Sequence, residues 1–84
     1  MVTLGRSEKD WPHWEMHPQG EELIFLLSGA VELVVEDDDG EHVVAMAPGQ
    51  LYLMRRGVWH RARVQTPSQM LFVTFGDGTQ HRPL

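Results

Sequence analysis

The feature that most constrains the fold of this chain is the regular alternation of short apolar runs with turn-forming residues. Segments rich in glycine, proline and aspartate recur roughly every eight to twelve residues, the spacing of an all-β sandwich or barrel. No window shows a sustained helical period. In "AVELVVEDDDGEHVVAMAPG" an Asp-Gly turn separates two β-prone runs and predicts a hairpin. The sequence therefore predicts an all-β protein, built as a small antiparallel β-barrel.

Size and composition exclude several classes of protein. The 84 residues make one domain at most, and its core is thin. The absence of cysteine excludes disulfides, thiolate metal sites and thiol catalysis. No stretch approaches the ~20 apolar residues of a membrane span, and the charged start "MVTLGRSEKD" lacks the apolar core of a signal peptide. We therefore expect a single domain over residues 1–84 that is cytoplasmic and makes no membrane contact.

The charge is acidic overall but unevenly distributed. The net charge of −5 argues against nucleic acid as a partner. Residues 1–54 carry two basic and eleven acidic side chains, whereas residues 55–84 carry five arginines and one acid. The arginines either pair with the acidic half and face water, or hold an anion.

Ligand-type side chains crowd the segment "HWEMHPQGEE", which begins at His13. If residues 13–17 are extended, His13, Glu15 and His17 project to one face, because side chains alternate along a strand. Glu22 begins the next apolar run, and a tight turn would bring its carboxylate back beside His17. Burying such charge is costly unless something compensates it.

A fourth candidate ligand lies far along the chain. His60 stands in "GVWHRARV", a later predicted strand entered through Gly57. Inside a small barrel, Glu15, His17, Glu22 and His60 could converge on one metal ion. Imidazole and carboxylate together suit Fe(II), Mn(II), Ni(II) or Zn(II). Two alternatives stay open: Glu15 does not bind the metal, or the cluster is solvated and holds no metal.

These spacings resemble the two motifs of the cupin superfamily. The first motif, G-x5-H-x-H-x3,4-E-x6-G, is matched over residues 15–29, and the second, G-x5-P-x-G-x2-H-x3-N, over residues 49–64. The matching positions are His17, Glu22, Gly29, Gly49, Gly57 and His60. The resemblance covers roughly residues 12–75 and implies a double-stranded β-helix, the cupin jelly roll, of about eight short strands. The chain also looks like small single-domain bacterial cupins, for which the likeness implies a fold and no reaction.

Three positions depart from the family pattern. Glu15 replaces the first motif histidine, Arg55 the proline and Val64 the final asparagine. The first departure changes the chemistry, because two carboxylates and two imidazoles leave a divalent ion with a net charge near zero. Such an ion is a poorer Lewis acid than one held by three imidazoles and a carboxylate. Such a site should also favour harder ions, such as Mn(II) or Fe(II), over copper.

The aromatic residues and the C-terminal segment lead to further predictions about a ligand pocket, the core and the chain end. Trp14, Tyr52 and Trp59 are candidates to line a ligand pocket, although the tryptophans also suit a core or an interface. His81, in the tail "TQHRPL", is expected in a frayed C-terminus. The phenylalanines in the apolar runs are expected in the core: Phe25, Phe72 and Phe75.

Two functions of different classes follow. The first is a divalent-metal site inside the barrel that binds a small polar molecule; if the protein is an enzyme, the resemblance implies oxygenase or isomerase chemistry. The second is a non-catalytic binding module that senses a small molecule without metal, and a structural barrel is a third possibility. A thin barrel leaves edges and apolar residues to cover, so we also expect a homodimer. It would form through N-terminal strand contacts or by sheet packing around the tryptophans.

Overall fold

The computed structural model describes residues 1–84 and contains seven strands and no helix. The strands are β1 Val2–Ser7, β2 His13–Met16, β3 Glu22–Asp37, β4 Gly40–Met46, β5 Leu51–Met54, β6 Trp59–Thr74 and β7 Gln80–Pro83. All strand pairs are antiparallel. The predicted all-β class is therefore confirmed. None of the elements is a helix of the length and hydropathy needed to cross a membrane.

Two long strands replace several of the expected short ones. Strands β3 and β6 have 16 residues each and pair along their length, from Glu22 opposite Thr74 to Glu36 opposite Trp59. The first half of β3 also pairs with β5, and the second half pairs with β4 through the predicted hairpin at Asp37 and Gly40. Strand β1 extends the sheet beside one half of β6, and β2 and β7 extend it beside the other. Because both long strands bend, the sheet folds over itself as a jelly-roll barrel.

The bend is built around Gly29 and Ser68. The β3–β6 register shifts between Leu26 and Val31, and the Ser68 hydroxyl replaces the missing ladder contacts. It accepts a hydrogen bond from the Ala30 N–H at 3.1 Å and donates one to the Thr66 carbonyl at 2.7 Å. Gly29 has a φ of 96°, and a Cβ at this position would overlap the Ser68 hydroxyl. Only glycine fits here without strain.

The core lies between the two halves of the folded sheet. Its main cluster consists of nine buried residues: Ile24, Leu26, Val31, Leu33, Val35, Met46, Met54, Ala62 and Met70. Phe72 packs against this cluster, as expected for a core residue. Phe25 is only half-buried and Phe75 is exposed, which corrects their expected places in the core. In β3 the interior positions belong to Ile24 and Leu26, so strand alternation turns Phe25 outward.

The C-terminal tail is a strand, which corrects the expectation that it frays. Strand β7 pairs with β2, with Arg82 opposite Trp14. The Arg82 guanidinium donates two hydrogen bonds to Glu36, at 3.1 and 3.0 Å. It also lies over the rings of Trp14 and Trp59, at 5.0 and 4.7 Å from their centroids. These distant contacts offset the entropy cost of ordering the tail.

Candidate metal centre

Three side chains from different parts of the chain meet inside the barrel. His17 follows β2, Glu22 begins β3 and His60 is the second residue of β6. His17 Nε2 lies 3.2 Å from Glu22 Oε2, and His60 Nε2 lies 3.3 Å from Glu22 Oε1. The two imidazole centroids are 5.3 Å apart, and the potential ligand atoms all lie within 4.8 Å of one another. All three residues are buried. We refer to them below as the inner triad.

The turn before β6 orients His60. Its Nδ1 lies 3.0 Å from the Val58 carbonyl, which can only accept a hydrogen bond. Nδ1 therefore carries the proton, and in the neutral ring the lone pair of Nε2 faces the other two residues. Gly57, with a φ of 78°, shapes this turn, and its N–H donates to the His17 carbonyl at 2.9 Å. That backbone bond joins the two segments that supply the imidazoles.

Two threonines hold the remaining polar atoms of the inner triad. His17 Nδ1 lies 3.0 Å from the Thr79 hydroxyl, just before β7. The Thr74 hydroxyl donates to Glu22 Oε2 at 2.9 Å, because β6 places Thr74 directly opposite Glu22. Metal-binding side chains commonly have such partners, which fix the orientation of the ligand atom.

Three atoms at the centre have no hydrogen-bond partner: His17 Nε2, Glu22 Oε1 and His60 Nε2. Leaving buried polar atoms unpaired costs about 1–3 kcal/mol each. Burial raises the pKa of Glu22, but the contact with His60, the charge interaction with His17 and the Thr74 hydroxyl outweigh it and hold that pKa below its ordinary value. Glu22 is therefore a carboxylate at neutral pH. A carboxylate facing two imidazole nitrogens is a donor set that fits a divalent cation.

A cavity of about 420 Å³ opens beside the inner triad. His17 and Glu22 lie on its wall, and Trp11 and Phe72 provide apolar surface. Its volume falls within the range of small-molecule sites. The centre therefore has the space for a ligand of modest size next to it.

Comparison with known proteins decides the family. The family model described as "Cupin domain" matches residues 1–76. The chain belongs to the cupin family. A comparison with curated proteins finds no match.

Solved structures share this cupin fold at low sequence identity. Hydroquinone 1,2-dioxygenase from Sphingomonas sp. TTNP3, with 4-hydroxybenzoate bound, is 16% identical with a TM-score of 0.77, over 92% of this chain and 59% of that one. Fe(II)-HppE with the alternative substrate (S)-1-HPP is 16% identical with a TM-score of 0.74, over 88% and 41%. Drosophila melanogaster CENP-C bound to CAL1 is 10% identical with a TM-score of 0.74, over 89% and 65%. The chain thus spans less than two thirds of each, and the likeness establishes the fold alone.

Glu15, predicted as the fourth ligand, lies outside the inner triad. Its backbone is opposite His60 on one side and opposite His81 on the other. Its Oε1 lies 3.3 Å from His81 Nε2, and together with His13 these residues form a second group of potential ligands. Glu15 does line the same cavity as His17, so its role as a ligand stays a prediction.

The three aromatic residues predicted to line a ligand pocket lie away from the cavity beside the inner triad, and their role in binding stays a prediction. Trp14 is buried beneath the guanidinium groups of Arg61 and Arg82, each 5.0 Å from its ring. Tyr52 and Trp59 line a separate depression of about 670 Å³. None of the three lines the cavity beside the inner triad.

Sequence reasoning missed Thr74 and Thr79 as parts of the site. Trp11 packs against the core, as tryptophans of this sequence are expected to do, and its ring also lies 6.2 Å from that of His60. Thr74 becomes recognisable only from the β3–β6 register. No local pattern distinguishes Thr79, which lies 62 residues from its partner His17.

Proposed function

We propose that the inner triad binds one divalent transition-metal ion and that the adjoining cavity receives a small polar ligand at this ion. One observation carries the proposal: three buried donor atoms face each other without hydrogen-bond partners, while the other polar atoms of the same side chains are held by the surrounding structure. A cation between them would satisfy all three atoms at once.

The composition of the inner triad favours iron. Two histidines and one carboxylate with open coordination positions are typical of non-haem Fe(II) oxygenases, although Mn(II), Ni(II) and Zn(II) accept the same donors. Two neutral imidazoles and one carboxylate leave a divalent ion with a net charge of about +1. When bound, such an ion supplies Lewis acidity that polarises an oxygen atom of the ligand.

The residues that line the cavity indicate the general chemistry of its ligand. Trp11 and Phe72 offer apolar surface, whereas Thr74 and Thr79 offer hydroxyl groups. A small oxygenated molecule with one flat or apolar part suits this wall. The cavity also exposes the carboxylate of Glu15, which disfavours a second negative charge on the ligand.

Metal analysis of untagged protein, purified without chelator, tests the proposal. We expect Glu22→Gln, which keeps the side-chain shape, to lose about one equivalent of Fe(II) or Mn(II) on reconstitution. The matched control is His42→Ala, because His42 is exposed and paired only with Asp37. This variant should retain the full amount.

Three results would each contradict a metal ion at the inner triad. Wild-type protein that holds less than about a tenth of an equivalent and takes up none on reconstitution would exclude it. Equal uptake by wild type and Glu22→Gln would show that the ion sits elsewhere. A ligand that binds equally well with and without chelator would favour the metal-free binding module.

We also propose that the protein forms a homodimer through the outer side of β1, β6, β3 and β5. Strand pairing aligns two rows of side chains there, Val2, Val73, Leu23 and Leu53, and then Leu4, Leu71, Phe25 and Leu51. This apolar face has no charged residue within its eight positions and spans about 14 Å from the first to the last of its four strands. A second copy suits it, because a two-fold axis would place equivalent apolar rows against each other with the charged residues at the rim.

A further inference from the structure

A second group of metal-type ligands lies at the outer edge of the cavity, on strands β2 and β7. We propose that His13, Glu15 and His81 bind a second divalent ion of the Zn(II) class, and that this ion fastens β7 to β2. We refer to these three residues as the outer group. The proposal is independent of the inner triad, since the two groups share no residue.

Strand register creates the outer group. Glu15 and His81 are directly opposite each other in the antiparallel β2–β7 pair, and His13 precedes Glu15 by two residues. The three side chains therefore share one face of the sheet. His81 Nε2 lies 3.3 Å from Glu15 Oε1, and one ligand atom from each residue lies within 4.8 Å of the other two.

The candidate ligand atoms of the outer group lie within 4.8 Å of one another, so they must move closer to share one ion. Two donors on a tetrahedral Zn(II) ion are about 3.3 Å apart, given bonds of about 2.0–2.1 Å. The rings of His13 and His81 meet edge to face with centroids 4.6 Å apart. His81 is exposed and the other two residues are half-buried, so the rings can turn and an ion can enter from solvent. Three protein ligands would leave the fourth position to water.

The outer ion would act on the inner site through the chain. Strand β7 pairs with β2 alone, and its other contacts with the barrel are those of Arg82 with Glu36 and with the ring of Trp59. Thr79, immediately before β7, contacts Nδ1 of the inner ligand His17. An ion that holds β7 in place would therefore also hold the Thr79 hydroxyl against His17.

This inference assigns Glu15 to the outer ion. In the structure its carboxylate contacts His81, and it is absent from the group formed by the inner triad. Substituting Glu15 or His81 should then remove the same ion. If Glu15 were instead the fourth inner ligand, its loss and that of Glu22 would affect the same ion.

Zn(II) titration by calorimetry, followed by metal analysis of untagged protein, tests the outer site. We expect wild type to bind about one equivalent more than either His81→Ala or Glu15→Gln. Glu22→Gln should keep the outer equivalent, and Zn(II) should still shift the imidazole ¹⁵N signals of His13 and His81 in that variant. The control His42→Ala removes an exposed histidine that has a single carboxylate partner, and it should match wild type.

Each contrary result has a distinct meaning. Equal Zn(II) stoichiometry in wild type and His81→Ala, with both proteins folded by circular dichroism, overturns the outer site whether or not the inner triad binds metal. Loss of the inner equivalent in Glu15→Gln, with none lost in His81→Ala, overturns the assignment of Glu15. Unchanged His13 and His81 signals in Glu22→Gln with Zn(II) overturn the proposal even if His81→Ala fails to fold.

Discussion

A buried imidazole offers a lone pair to a metal only when its proton is held at the other ring nitrogen. The Val58 carbonyl fixes the proton of His60 at Nδ1, because a carbonyl cannot donate. The Thr79 hydroxyl can accept the Nδ1 proton of His17 and so expose Nε2 in the same way. The inner triad therefore depends on a threonine that belongs to neither cupin motif.

Thr79→Val should weaken metal binding at the inner triad without changing its ligands. Valine keeps the shape of threonine but cannot accept the proton of His17 Nδ1, so the ring loses its fixed tautomer and orientation. Loss of such a partner typically lowers metal affinity about 10- to 100-fold. Competition with a chromophoric chelator measures the change.

Thr66→Val is the matched control for this prediction. Thr66 is exposed, and only its backbone carbonyl takes part in the contact with Ser68. The control should retain the wild-type affinity. If Thr79→Val and Thr66→Val bind metal equally well, the Thr79 hydroxyl has no part in orienting His17.

The convergence of His17, Glu22 and His60 could be predicted from strand alternation and motif spacing. The place of Glu15 could not, because alternation puts Glu15 on the same side as His17 but does not say which neighbouring strand its carboxylate meets. That depends on β7, whose pairing with β2 rests on contacts such as Arg82 with Glu36, 46 residues apart. The sequence around either residue shows no pattern that would predict such a contact.

At the scale of the strands, glycine, proline and serine are found both in turns between strands and at bends within a strand. Serine and glycine at 28–29 and proline and serine at 67–68 belong to the recurring turn signals of the sequence, but they lie inside β3 and β6, where these strands bend. Glycine and proline suit both situations, because each is tolerated where the regular ladder is interrupted. The hairpin at "DDDG" was correctly predicted, since an Asp-Gly turn between alternating strands has few other interpretations.

Comparing Gly29→Ala with Gly49→Ala isolates the crowding at this bend. Both glycines have a positive φ, 96° and 89°, so alanine should cost about 1–2 kcal/mol of unfolding free energy at each. A Cβ at Gly49 meets nothing within 4 Å, whereas one at Gly29 overlaps the Ser68 hydroxyl and approaches the Pro67 carbonyl. Gly29→Ala should therefore be less stable than Gly49→Ala by about 1–3 kcal/mol. Urea unfolding of metal-free protein measures both values, and equal losses would mean that the bend relaxes freely.

For the whole molecule, the unexpected property is a sheet that is apolar on both sides. In β3, Ile24 and Leu26 fill the core while Leu23 and Phe25 face outward. Hydrophobic residues on both faces of a strand predict burial on both faces, which is why Phe25 was expected in the core. Within a single chain only one side is covered, and Leu4 and Leu51 remain 63% and 58% exposed. The tryptophans do not contribute to this surface, so of the two expected routes to a dimer the N-terminal strand is the one we favour.

A substitution in the apolar face should dissociate the proposed dimer without unfolding the chain. We expect sedimentation of wild-type protein at micromolar concentration to give about twice the 9.6 kDa of one chain. Leu4→Asp and Leu51→Asp should each sediment as monomers, because a carboxylate in the interface would be buried without a partner. Val43→Asp is the matched control, since Val43 is 52% exposed but lies on β4, outside the apolar face. A wild-type monomer would contradict the proposed homodimer, and dissociation by Val43→Asp alone would move the interface to the opposite side of the barrel.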